Sequence, residues 1–222
     1  MTTTFISRRE LLRCAGLAGA AAAVARADLL VPAAAPGAAP NQVPAVAARA
    51  PLEHLSASEA DILDAIVARL IPADASGPGA LEAGATRYID RGLGGALMSS
   101  REAYRSGLTS LDQYARTSRG RAFRELAAAE QDAVLIDVED GRATGFAGGS
   151  APFFALVRAH TLQGTFCDPF YGGNANFAGW DLIGYPGVRT TVTPDEQRLG
   201  ADVPRNHKSA YDTEMFGKPT GA

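Results

Sequence analysis

Residues Ser56 to Pro72, with the sequence SASEADILDAIVARLIP, form the clearest secondary-structure element of this chain. Ser56 and Glu59 are spaced as in a capping box, in which a hydroxyl and a carboxylate satisfy free N–H groups at the start of a helix. The apolar residues that follow share one half of a helical wheel: Ile62, Leu63, Ile66, Val67, Leu70 and Ile71. Pro72 cannot continue a helix. The segment is therefore predicted to be an amphipathic helix that buries one face.

Further helices are predicted downstream. Pro78 is placed to open a second helix that runs through Ile89 or Arg91. A third helix has a common apolar face, made of Leu97, Tyr104, Leu108, Leu111 and Ala115. Residues 130–140 predict a shorter helix, and Ser150 is expected to cap another. The core face of that last helix consists of Phe153, Leu156, Val157 and His160.

Helical periodicity dominates the folded part of the chain, and no two neighbouring runs alternate between apolar and polar residues. We therefore predict a mainly α fold, with a single helical domain over residues 55–190 and an irregular tail over 191–222. Residues 28–54 are rich in alanine and proline and contain no aromatic residue, so they are predicted to be a disordered linker.

The N-terminus carries an export pattern. Ser7-Arg8-Arg9-Glu10-Leu11-Leu12 precedes a weakly apolar run from Cys14 to Ala25, which is too short to span a bilayer. Ala25-Arg26-Ala27 then resembles a signal-peptidase site. Residues 1–27 are therefore predicted to be a twin-arginine signal peptide cleaved after Ala27, with Arg8 and Arg9 as the export signal and the periplasm as the destination.

The charge of the chain argues against two classes of partner. Its 222 residues carry a formal net charge of −3. Removal of the signal would take away four of 21 basic and one of 24 acidic residues, which leaves a net charge near −6. An acidic chain without a basic cluster is poorly suited to bind nucleic acid or an anionic membrane directly.

Cysteines and histidines predict no cofactor or metal site in this chain. Cys167 would be the only cysteine of the mature chain, and an unpaired cysteine in an oxidising compartment is either a buried thiol or a bridge to a partner chain. The absence of Cys-x-x-Cys motifs disfavours covalent haem, iron–sulfur clusters and zinc fingers. His54, His160 and His207 lack metal-ligand spacing.

One set of residues nevertheless suggests catalysis. His160 could act as a base oriented by Asp168, and Cys167 could be a nucleophile that His160 activates. Seven residues along a helix separate His160 from Cys167 by nearly two turns, so their contact would require the chain to fold back. The favoured interpretation is a core histidine that is hydrogen-bonded to a neighbouring group.

The stretch from Phe166 to Asn174, with the sequence FCDPFYGGN, is the most distinctive one. Its Asp-Pro and Gly-Gly-Asn sequences predict a tight backbone path surrounded by aromatic side chains. The aromatic residues either close the core or anchor a partner, and a small-molecule pocket is a third interpretation. The candidate partner-interface or structural residues are Asp168, Pro169, Tyr171, Gly172, Gly173, Asn174 and Trp180.

Two blocks of sequence resemble the small subunit, called subunit 3 or gamma, of membrane-bound gluconate 2-dehydrogenases. The first block contains Arg69-Leu-Ile-Pro-Ala-Asp74, Gly77-Pro-Gly-Ala80 and Ala83-Gly84. The second contains His160-Thr-Leu-Gln-Gly164, Asp168-Pro169, Tyr171-Gly-Gly-Asn174 and Gly179-Trp180-Asp181-Leu-Ile-Gly-Tyr-Pro-Gly187. The resemblance covers about residues 1–190. Phe166-Cys167 departs from the family pattern, so no role is carried over for the cysteine.

The resemblance implies a non-catalytic accessory subunit of an exported, membrane-associated oxidoreductase. Its partners would be a large flavoprotein that holds FAD and a multihaem cytochrome c, and this chain itself would hold no cofactor. Membrane association would arise through the complex, and this chain would carry the flavoprotein through the export pore. Cys167 would then be a buried thiol or form a disulfide with the large subunit. The alternatives are an independent periplasmic binding module, or an enzyme that uses His160, Asp168 and Cys167.

Overall fold

The computed structural model describes residues 52–216, which form six α-helices and five short 3-10 turns. The helices are α1 (Ala57–Leu70), α2 (Ala85–Gly92), α3 (Arg101–Arg119), α4 (Ala128–Glu139), α5 (Ser150–Phe166) and α6 (Ala178–Ile183). The 3-10 turns are Met98–Ser100, Phe123–Glu125, Pro169–Tyr171, Ala175–Phe177 and Ala210–Asp212. Residues 52–216 contain no β-strand, so the predicted mainly α fold is confirmed.

Helix α1 begins and packs as its sequence predicts. The Ser56 hydroxyl accepts a hydrogen bond from the Glu59 amide, and the Glu59 carboxylate accepts one from the Ser56 amide at 2.8 Å. Ile62, Leu63 and Ile66 are buried in the core together with Val67 and Ile71. Each fully buried aliphatic side chain stabilises the fold by about 1.5–3 kcal/mol, so this face holds α1 against α2, α3 and α4.

Helix α5 packs against α2 and α4, and glycines permit its close contacts. A Cβ atom at Gly164 would lie 2.9 Å from the Cα atom of Ala85 on α2. A Cβ atom at Gly107 of α3 would overlap the ring of Phe153 on α5. The small residues therefore bring the end of α5 directly against the start of α2.

The starts of α2 and α5 differ from those predicted. Helix α2 begins at Ala85 and not near Pro78, because the chain first turns back onto the end of α1, where the Ala80 amide donates to the Ile71 carbonyl at 2.8 Å. Gly149, with φ +95°, occupies the position before α5 that was predicted for Ser150. The buried Ser150 hydroxyl has no hydrogen-bond partner within residues 52–216.

The folded part begins before residue 55. The buried carboxylate of Asp90 on α2 accepts hydrogen bonds from the backbone amides of Glu53 (2.8 Å), His54 (3.0 Å) and Leu55 (2.8 Å). Glu53 and His54 belong to the predicted linker, so its last residues are held against the domain. The predicted signal peptide and the rest of that linker lie outside the described residues.

Helices within residues 52–216 are all too short or too polar to cross a bilayer.

Candidate functional site

Asn174 lies at the centre of the distinctive turn and is fully buried. Its side-chain amide donates to the Cys167 carbonyl at 2.8 Å, and its side-chain oxygen accepts from the Gly179 amide at 2.8 Å. Its backbone amide donates to the Gly164 carbonyl at 2.8 Å, and its φ of +44° lies in the left-handed region that asparagine tolerates. Asn174 thus joins the end of α5 to the start of α6.

Glycine is required on both sides of Asn174. A Cβ atom at Gly173 would overlap the carbonyl oxygen of Gly164, and one at Gly179 would overlap the carbonyl oxygen of Thr165. Gly172 adopts a φ of +91°, which favours glycine. The Gly-Gly-Asn sequence is therefore explained by packing against the end of α5.

Trp180 closes this arrangement from α6 and is 6% exposed. Its indole N–H donates to the Phe166 carbonyl at 3.0 Å, which satisfies an acceptor at the end of α5. The rings of Phe177 and Tyr185 pack against it with centroid distances of 5.4 and 4.8 Å. Trp180 is thus a structural residue of the turn.

Asp168 connects the turn to the C-terminal tail. One of its carboxylate oxygens accepts hydrogen bonds from the Phe170 amide at 2.9 Å and from the Ser209 hydroxyl at 2.6 Å. The other oxygen accepts a hydrogen bond from the Ala210 amide at 2.8 Å. Asp168 therefore caps the 3-10 turn that begins at Pro169 and also holds residues 209–210.

Aromatic contacts strengthen the same connection. The ring of Phe170 stacks on that of Tyr211 with a centroid distance of 3.8 Å, and the hydroxyl groups of Tyr171 and Tyr211 are 2.7 Å apart. This hydrogen bond raises the pKa of Tyr171. Tyr171 remains 50% exposed, so its ring is held in place while it faces solvent.

A second set of contacts attaches the tail to α6. The Asp181 carboxylate lies 2.8 Å from Nε2 of His207 and 3.1 Å from the guanidinium of Arg205. The ring of His207 also stacks on Phe177 with a centroid distance of 5.0 Å. The tail of residues 191–222 was predicted to be irregular, and within it residues 205–211 lie against the turn and α6.

His160 is a buried core histidine. Its Nδ1 atom lies 3.0 Å from the hydroxyl of Tyr104, which is also buried. Burial lowers the pKa of His160 and raises that of Tyr104. Within residues 52–216, no hydrogen bond joins His160 to Cys167 or Asp168, so the structure does not assemble the catalytic set that the sequence suggested.

Cys167 is half-buried at the end of α5, where its Sγ atom lies 3.7 Å from the Gly164 carbonyl oxygen. Burial raises the pKa of the Cys167 thiol to about 11. Since the thiolate is the nucleophilic form, a thiol with this pKa is weakly reactive at neutral pH.

Residues 52–216 contain no cluster of three or more His, Cys, Asp or Glu side chains arranged to bind a metal ion. Two residues that hold the turn, Ser209 and Tyr211, were not predicted from the sequence, and neither was Asp90, which binds the amides of residues 53–55. Ser209 and Asp212 do have capping-box spacing, and the Ser209 amide donates to the Asp212 carboxylate at 3.0 Å. That spacing is the one local signal that could have located the docked part of the tail.

The helices and the Asp168–Asn174 turn define a small, mainly helical protein. The most distinctive stretch of its sequence is explained by packing and hydrogen bonds within the domain. The family model for gluconate 2-dehydrogenase subunit 3 matches residues 57–187, and the chain belongs to this family. The match spans α1 to α6 and includes the whole Asp168–Asn174 turn, whereas the docked tail lies beyond it. Membership indicates an accessory subunit of a dehydrogenase complex. Searches of curated proteins and of solved structures returned no significant match.

Proposed function

We propose that this chain is a non-catalytic accessory subunit of a periplasmic, membrane-associated, FAD-dependent oxidoreductase of the gluconate 2-dehydrogenase type. The observation that carries the proposal is the family match over residues 57–187. A non-catalytic role is supported by the contacts of the residues that suggested catalysis. His160 is paired with Tyr104 in the core, and the Asp168 carboxylate is occupied by the tail.

The substrate would be oxidised by a large subunit that holds FAD, and a multihaem cytochrome c would pass the electrons on. The complex would associate with the membrane through these partners. A tagged full-length chain, expressed in its native host, is expected to recover a flavin-containing protein and a haem protein from periplasm or membranes. Recovery of neither would contradict the proposal. Flavin absorbance and a haem stain identify the two partners.

The N-terminal Arg8-Arg9 pair would direct export of the folded complex, so that the flavoprotein could cross the membrane without a signal of its own. The double variant Arg8→Lys/Arg9→Lys is expected to leave both this chain and the flavoprotein in the cytoplasm. Because lysine keeps the charge, Arg13→Lys serves as a matched control that should be exported normally. Export of the flavoprotein in the double variant would contradict this role.

Cys167 is a candidate for a disulfide with the large subunit. Its Sγ atom is half-buried beside the turn and has no cysteine partner within residues 52–216. Non-reducing electrophoresis of the native complex distinguishes the two predicted states. Migration with the large subunit that is lost upon reduction would support the disulfide, and unchanged migration would support a buried thiol.

A further inference from the structure

The exposed side of α2 carries two arginines that form no ion pair in the part of the chain that the structure describes. Arg87 and Arg91 are one helical turn apart and therefore project from the same face. Neither guanidinium makes an ion pair or hydrogen bond with any residue between 52 and 216. The nearby acid Asp90 is not available to them, because it is buried and binds the amides of residues 53–55. Two exposed cations thus have no counter-charge within residues 52–216, although the chain as a whole has a net charge of −3.

Arg91 lies directly beside the Asp168–Asn174 turn, called the motif turn below. Its Nη1 and Cδ atoms are 2.8 and 3.1 Å from the position that a Cβ atom on Gly172 would occupy. The guanidinium therefore covers the backbone of Gly172, the residue that follows Tyr171. A side chain at position 172 would displace Arg91, so the glycine also permits this contact.

Tyr171, which precedes Gly172 in the chain, and Tyr211 are held in place by their neighbours. Tyr171 contacts the edge of Phe170 at a centroid distance of 5.4 Å, and its hydroxyl is bonded to that of Tyr211. Tyr211 is fixed in turn by its stacking on Phe170. A surface whose side chains are already ordered loses less conformational entropy when a partner binds.

Exposed arginine and tyrosine side chains are also the ones that most often dominate the energy of protein interfaces. A guanidinium prefers a carboxylate, with which it forms two parallel hydrogen bonds. We infer that Arg87, Arg91, Tyr171 and Tyr211 form a docking surface, here called the Arg–Tyr surface, for a carboxylate-bearing segment of the flavoprotein. This inference rests on the proposed function and names the part of this chain that would bind the partner.

A protein partner fits this surface better than an anionic membrane does. The negative net charge of the chain opposes its approach to anionic lipid. The tyrosines are fixed by hydrogen bonding and stacking, and two arginines alone provide little of the attraction that membrane binding requires.

Charge reversal tests the inference in the full-length chain within its native host. The double variant Arg87→Glu/Arg91→Glu is expected to recover at least tenfold less flavin per tagged chain than the wild type. The matched control is Arg105→Glu/Arg121→Glu, which reverses two exposed arginines that also lack an ion pair within residues 52–216. The control is expected to recover as much flavin as the wild type. Fluorescence of Trp180 and circular dichroism verify that both variants are folded.

Equal flavin recovery by the two double variants would overturn the inference. A photo-crosslinking residue, p-benzoylphenylalanine, in place of Tyr171 gives a second, independent test. We expect it to crosslink to an acidic peptide of the flavoprotein. Crosslinking to a second copy of this chain or to lipid would overturn the inference. If the wild-type chain recovers no flavoprotein, the proposed function itself is wrong. If the wild type recovers flavoprotein and both double variants recover it equally, only the Arg–Tyr surface is wrong.

Discussion

The carboxylate of Asp168 and the hydroxyl of Ser209 form a hydrogen bond of 2.6 Å, although 41 residues separate them along the chain. Asp168 lies within the family match and Ser209 lies beyond it. The tail of this chain therefore stabilises the motif turn from outside the region that defines the family. The aromatic contacts of Tyr211 and His207 extend the same attachment.

The variant Asp168→Asn is expected to lower the free energy of unfolding by about 1–3 kcal/mol, because hydrogen bonds to a charged acceptor are lost or weakened. Urea unfolding followed by the fluorescence of Trp180, the chain's one tryptophan, measures this change. The tail should also become more sensitive to proteases. Asp195→Asn is the control, since its exposed ion pair with Arg198 contributes at most about 1 kcal/mol. Equal losses in the two variants would contradict the role of Asp168.

The variant Gly173→Ala is expected to destabilise the domain by about 1–3 kcal/mol or more, because the added Cβ atom would overlap the Gly164 carbonyl oxygen. The turn and α5 would have to move apart. Gly95→Ala is a matched control, as no atom lies within 4 Å of the added Cβ atom there. Thermal unfolding distinguishes the two variants, and a Gly173→Ala midpoint as high as that of the control would contradict the close packing of Gly173 on Gly164.

Burial lowers the pKa of His160, which predicts a pH-dependent stability. In the unfolded chain a histidine binds its proton below a pH of about 6.5, whereas the folded protein takes up this proton only at lower pH. The unfolded state then binds more protons, so stability decreases as pH falls below about 6.5, by at most about 1.4 kcal/mol per pH unit for one group. Urea unfolding at pH 7.5 and pH 5.5 measures the effect.

The variant His160→Gln retains a polar partner for Tyr104 and removes this titration. Its stability should depend less on pH than that of the wild type, while the other histidines contribute equally to both. An identical pH dependence in the two proteins would contradict the prediction.

Cys167 is expected to react slowly with iodoacetamide at pH 7, because burial raises the pKa of its thiol to about 11. The rate in the folded, isolated mature chain should lie well below that of the same chain in urea, and it should increase as the pH is raised. Mass spectrometry of the labelled chain gives both rates. Fast labelling of the folded chain at pH 7 would show that the thiol is activated.

Local sequence patterns were sufficient to predict the helical fold. The capping box at Ser56 and the apolar face of α1 appear in the structure as predicted, because capping and helical periodicity depend on residues three or four positions apart. The family blocks also lie where strict packing demands particular residues, as at Gly173 and Asn174. The position of Pro78 did not predict the start of α2, because contacts with the end of α1 determine where that helix begins.

The tertiary structure alone decided which polar groups meet across long stretches of chain. Asp90 binds the amides of residues 53–55, Asp168 binds Ser209, and Arg91 covers Gly172. No periodicity signals such contacts, because they join segments that approach only after the helices have packed. His160 shows the same distinction: its place on an apolar helix face was predictable, but its partner Tyr104 lies 56 residues away on α3. Local spacing therefore determined the helices, and packing between distant segments determined the turn, its attached tail and the Arg–Tyr surface.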